Sequence, residues 1–151
     1  METVTGAGQP AITPITMAMI CHAVNRAYAG AFGDTSLVSW EESPDQHKQS
    51  VMDGVLLYLN VPTAGAHDAH ARWIERKLEE GWQRGNVLDR ARKLHPCLVP
   101  WVDLPPEQQA KGIIFREIVL QLMPFMMPVG IDPSTELPAV EAVAGHGEQD
   151  H

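Results

Sequence analysis

The chain is short of the residues that mark disulfide-built, membrane-spanning and nucleic-acid-coating proteins. It has two cysteines in 151 residues, Cys21 and Cys97. Two are too few for a disulfide scaffold, and reduced thiols in the cytoplasm are the expectation. No apolar run approaches the roughly 20 residues that a helical membrane span needs. The opening METVTGAGQPAITP has no basic start followed by an apolar stretch, so no secretory signal is expected. Lys and Arg number only 11 against 19 Asp and Glu, a formal net charge of −8. That balance argues against a broad grip on a nucleic-acid polymer. Gly-rich phosphate loops, HExxH and a Ser-His-Asp arrangement are all missing, which leaves little to support an enzyme.

What is present is enough to fold. Apolar residues make up 44% of the chain, a globular composition sufficient for one core. The pattern predicts a mostly α domain of about four main helices with irregular connections, spanning 15–123. Residues 1–14 read as a flexible lead-in, and 124–151 as an acidic, proline-containing tail without sustained periodicity. In the first helix Met17, Ile20, Cys21, Val24, Ala27 and Tyr28 recur at helical spacing, and glycines 30 and 33 end it. For the second, Ser43 is the expected cap in a Ser-x-x-Gln box with Gln46, Pro44 takes the first position, and Val51, Val55 and Leu59 form the stripe. A third helix is predicted from about Gly65 to Glu80, with Gly81 as its exit. Pro105 and Pro106 introduce a fourth, with Ile114, Ile118 and Leu122 inward.

The chemistry-bearing residues lie mainly in the middle of the chain. His67, His70, His95 and Cys97 supply zinc-ligand types, but neither His-x-His nor Cys-x-x-Cys spacing accompanies them. No metal and no cofactor is therefore expected. His95 and Cys97 lie two apart in an extended stretch, so a Cys–His pair is conceivable. The apolar residues Leu98 and Val99 that follow favour a packed thiol over a nucleophile. The tryptophans are the less ordinary feature. Of nine aromatic residues four are Trp, at 40, 73, 82 and 101. Residues 72–93 also carry seven of the 11 Lys and Arg, among them Arg72, Arg76, Arg84, Arg90, Arg92 and Lys93. Indole faces beside guanidinium groups suit a planar, anionic ligand. The same tryptophans would serve equally well as core.

The runs CHAVNRAY, SWEESPDQHKQSVMDGV and HDAHARWIERKLEEGWQRGNVLDRARKLHPCLVPWVDLPPEQQAKGIIFREIV carry a further signal. His70-x-x-Trp73, the Gly81-Trp82…Gly85 turn, His95-Pro96-Cys97-Leu98-Val99 and Leu104-Pro105-Pro106-Glu107 occur in order. Together they resemble the ryanodine receptor repeat, the RyR domain, in its stand-alone bacterial or phage form. The resemblance implies a small helical domain and a non-enzymatic binder of a nucleotide-derived small molecule. A cyclic nucleotide, a cyclic oligonucleotide or an ADP-ribose-type messenger would fit. It also implies a homodimer, in the host cytoplasm if phage-encoded, that sequesters an antiviral signal. A ligand-sensing adaptor, or a protein-interaction module without a ligand, is the alternative. Trp73 and Trp82 are the implied stacking residues, and His70, Arg72, Arg76, Arg84, Lys93, His95 and Trp40 the implied or charge-selected contacts around them.

Overall fold

The first helix starts where a capping residue precedes a proline. In the computed structural model, which describes residues 11–126, Thr13 accepts the Thr16 backbone N–H at 3.3 Å and α1 runs Pro14–Ala31. It is followed by α2 (Asp45–Asn60), α3 (Ala66–Glu79), β1 (Gln83–Arg84), β2 (Leu94–His95), a 3-10 turn at Trp101–Asp103, and α4 (Pro106–Leu122). A second 3-10 turn, Met123–Met126, closes the described part. The expected fold class is therefore the observed one: small and mostly helical, with four α-helices among the described residues. No helix among the described residues is long and apolar enough to cross a membrane. The lead-in through residue 10 and the tail from residue 127 lie outside the described residues.

The contacts divide the chain into two compact units. Among the described residues, one comprises 11–63 together with 115–126; the other is Ala64–Ile114. In the first unit α1 packs on α2. Met17, Cys21, Val55, Tyr58 and Val119 are its largest fully buried side chains. Burial pushes the Cys21 thiol up to about 12, so it is a small apolar core group. At Gly54 α2 approaches the Phe115 ring closely: a Cβ there would stand 3.0 Å from its Cζ.

Several expectations for this unit need correction. On α1, Val24 is exposed, and the buried face is carried by Met17, Ala18, Cys21, His22 and Ala29. His22 is tolerated there because its Nε2–H donates to the Val38 carbonyl at 2.7 Å, and His47 reaches its Nδ1 at 3.1 Å. Ser43 does not cap α2. Its hydroxyl donates to the Ser39 carbonyl at 2.8 Å, Pro44 becomes the cap residue, and no side chain closes the helix start. A local turn thus out-competes the capping box. On α4 the buried residues are Arg116 and Val119, while Ile114, Ile118 and Leu122 are half-buried. Arg116 is accommodated by donating from Nη2 to the Pro62 carbonyl at 3.1 Å.

In the second unit α3 begins one residue after Gly65, whose N–H donates to the Asp68 carboxylate at 2.9 Å. It ends just before Gly81, whose φ of +92° is the left-handed conformation that glycine adopts most easily. The Trp82 N–H then returns to the Lys77 carbonyl at 2.9 Å. Beyond it, β1 and β2 form a two-residue parallel pair, Gln83 opposite Leu94 and Arg84 opposite His95, where the sequence suggests only a turn. Asp89 and Leu94 exchange two backbone hydrogen bonds of 2.9 Å and fold the intervening segment back. Lys93 pivots this return with a φ of 57°. Leu98 and Leu104 anchor the crossing segment as buried residues. Gln109 then donates to the Trp101 carbonyl at 2.8 Å, tying the 3-10 turn to the start of α4.

Candidate functional site

The second unit gathers five aromatic side chains into one cluster. Trp73 and His70 are three apart on α3 and so share a face. His70 stacks on Trp73 with ring centroids 5.5 Å apart and planes 23° from parallel. From β2, His95 sets its edge against Trp73 at 4.9 Å and meets Trp82 at 6.1 Å. Trp101 closes on His70 at 6.0 Å. Trp82 is buried, only 5% exposed, and is therefore a wall of the cluster. Trp73 is half-buried, so part of its indole stays at the surface.

Hydrogen bonds fix both histidines. A carbonyl only accepts, so His70 donates from Nε2 to the Val99 oxygen, at 2.7 Å. The Cys97 backbone N–H donates to Nδ1 of His95 at 3.1 Å, so a neutral His95 carries its proton on Nε2 and presents a donor there. Burial, followed by the positive charges of Lys77, Arg90, Lys111 and His70, lowers the His95 pKa from 6.5 to about 4. His95 is thus uncharged at neutral pH. Cys97 is half-buried and burial pushes its thiol up, with Lys111 pulling the other way. The contact between Cys97 and His95 runs through the backbone N–H, and the thiol stays protonated.

The cations of the basic stretch are placed differently from one another. Arg72 and Arg84 are exposed. Arg76 is half-buried near the end of α3. Lys93 turns its ammonium onto the Glu80 carbonyl at 2.7 Å, completing the end of α3. Lys77 is the buried cation: 7% exposed, with its Nζ 5.1 Å from the Trp82 ring centre and 3.5 Å from the Glu80 carboxylate. Four residues after Trp73, it lies on the same helical face, a spacing that could have singled it out. Lys111 acts from α4, and no local spacing connects it to His95. Trp40 belongs to the first unit, where its ring meets His22 edge-on at 5.8 Å and Lys48 at 5.7 Å.

A metal reading finds no centre. Among the described residues no group of three or more His, Cys, Asp or Glu is placed to hold an ion. His67 is exposed beside Asp68, at 3.5 Å.

The depressed His95 pKa has a measurable consequence. The unfolded chain takes up this proton near pH 6.5, the folded chain only near pH 4. Stability from this site is therefore complete above about pH 6.5 and is lost as pH falls towards 4. Discounted for solvent screening, the loss is on the order of 1 kcal/mol. Urea denaturation at pH 7 and pH 4.5 should show a smaller acid loss in His95→Asn than in the parent. Equal losses would place His95 in water.

Residues 58–132 match the RyR domain. The match opens at Tyr58 within α2 and takes in α3, the β1–β2 pair, the crossing segment and α4. The His70-x-x-Trp73, Gly81-Trp82 and His95-Pro96-Cys97 motifs all lie inside it, and the CHAVNRAY and SWEES runs lie before it. The aromatic cluster is thus assembled wholly from matched residues, and the chain belongs to the RyR-domain family.

Proposed function

We propose that this chain binds a nucleotide-derived small molecule without transforming it, stacking the base on the indole of Trp73. The observation that carries the reading is the half-exposed Trp73 ring, framed by His70 and His95 within the most basic stretch of an acidic chain. Stacking on an aromatic side chain suits any base, because every base has a π face. Neutral His95 adds an N–H donor beside the ring rather than a charge. Cyclic nucleotides, cyclic oligonucleotides and ADP-ribose derivatives share this chemistry. Binding alone is enough to sequester a messenger, and a phage-encoded copy would in this way blunt an antiviral signal in the host cytoplasm. A homodimer would bring two such rings to one ligand.

A second reading, a protein-interaction module or ligand-sensing adaptor, is favoured by two apolar residues of the same unit that stand in solvent, Val87 at 72% and Val102 at 81% exposure. A thermal-shift and calorimetry panel separates the readings. Cyclic dinucleotides, cyclic oligonucleotides, ADP-ribose and ATP are each added to the full chain. At least one should raise the melting temperature and be recovered intact from denatured protein. No stabilisation by any of them removes the nucleotide reading, and recovery of a converted product replaces binding with catalysis.

A further inference from the structure

The outward side of α1 reads like an inward one. Its 18 residues include a single Lys, Arg, Asp or Glu, Arg26, in a chain where such residues make up 20%. Arg26 stands at the edge of the outward face and gives its Nε–H to the Leu37 carbonyl at 3.2 Å. Along that face Ile15 is 45% exposed, and Met19, Ala23, Ala27 and Ala31 follow at four-residue steps, all of them exposed. Phe125, 63% exposed, extends the apolar surface past Ile15, because its carbonyl accepts the Ile12 N–H at 3.2 Å just ahead of the helix. A helix that is apolar all round is ordinarily a covered one.

The shape and the charge of this face both describe its cover. It is bulky in its first half, at Ile15 and Met19, and small in its second, at Ala27 and Ala31, with Ala23 near the midpoint. A second copy laid antiparallel about Ala23 sets Met19 of one chain on Ala27 of the other, and Ile15 on Ala31. Large residues then meet small ones along the whole contact. The helix ends agree. Alone among the four described α-helices, α1 has no acidic residue in its first turn and no basic one in its last. An antiparallel neighbour supplies that compensation, since each positive N-terminal end then lies beside a negative C-terminal one. A net charge of −8 opposes self-association elsewhere, but α1 brings no carboxylate to the contact. At 1.5 Å per residue α1 is roughly 27 Å long, and two such faces with Phe125 bury on the order of 1,000 Å², the lower bound for a specific interface.

We propose that α1 is the face through which two copies of this chain pair, antiparallel and with Ala23 on the two-fold axis. α1 precedes the residues matched to the RyR domain, so the pairing is not a property of the matched region. It is also independent of whether a nucleotide binds at Trp73.

Sedimentation velocity of the full chain from about 1 to 100 μM should show a monomer–dimer equilibrium, the range expected of an interface this small. Ala23→Glu and Ala23→Lys should each weaken the dimer by about tenfold or more, since each sets like charges against one another at the axis. Position 23 is exposed and both replacements are good helix formers, so circular dichroism and the melting temperature should stay those of the parent monomer. Mixing the two variants in equal amounts should restore a dimer, because opposite charges then face each other. Val87→Glu, at an apolar residue exposed in the second unit, should leave the dimer within about twofold. A chain that is monomeric throughout overturns the pairing. So does a dimer that Ala23→Glu leaves intact, one that Val87→Glu weakens equally, or a mixture that fails to associate. A monomer that still binds a nucleotide removes the pairing and leaves the binding reading standing; a dimer that responds to no nucleotide does the reverse.

Discussion

Trp82→Ala should cost the fold about 3 kcal/mol, at the lower end of the range for truncating a large buried aromatic. The ring is enclosed at the exit of α3, 5% exposed, with His95 at 6.1 Å and the Lys77 ammonium at 5.1 Å. Truncation removes the apolar wall and leaves Lys77 buried with only the Glu80 carboxylate beside it. The loss stays at the lower end because the indole carries an unsatisfied N–H into that site, and deleting the ring deletes the penalty too. Trp82→Phe keeps most of the packing and drops the orphan donor, so its cost should fall below about 1.5 kcal/mol. Urea denaturation of the two variants beside the parent reads the difference directly. A Trp82→Ala loss under about 1 kcal/mol would mean that the indole is not part of the packed interior.

The helices are legible in the sequence because their signals are local. Pro14 and Pro106 stand at helix starts, Gly81 at an exit, and α3 falls within a residue of its expected span. The second-helix cap is misread because the Ser43 hydroxyl has a competing acceptor, the Ser39 carbonyl, four residues back in a turn that propensity does not reveal. The β1–β2 pair escapes notice for a related reason. It is only two residues long and depends on Lys93 holding a positive φ that lysine rarely adopts.

The candidate site is more legible in its rings than in its charges. His70, Trp73, Trp82 and His95 are all marked by sequence, and they do meet. Their meeting is a tertiary fact in part, since β2 must fold back on the residues after α3, but the residues themselves are unusual enough to notice. A cation is different. Arg72 and Arg84 attract attention as members of a basic stretch, yet both are exposed. The charges that reach His95 come from Lys77, whose ammonium lies against the buried Trp82 ring, from Arg90 just before β2, and from Lys111, well downstream on another helix. The basic stretch thus supplies two of these charges, and the third comes from a helix that no local spacing connects to it.

Trp73→Ala should reduce affinity for a stacked nucleotide by roughly 5- to 150-fold, the equivalent of about 1–3 kcal/mol for one base on one aromatic ring. The fold should survive it. Trp73 is half-buried, and its neighbours have other anchors: His70 keeps the Val99 carbonyl and His95 keeps the Cys97 N–H. Its stability cost should accordingly be smaller than that of Trp82→Ala, because less apolar area leaves contact. The two tryptophans on either side of His95 thus make opposite predictions: one variant folds and binds more weakly, the other loses stability first. The comparison uses calorimetry with whichever nucleotide raises the melting temperature, alongside far-UV circular dichroism. If Trp73→Ala unfolds as readily as Trp82→Ala, Trp73 is core and the base has no platform there. If it folds normally and binds as the parent does, the ligand sits elsewhere on the chain.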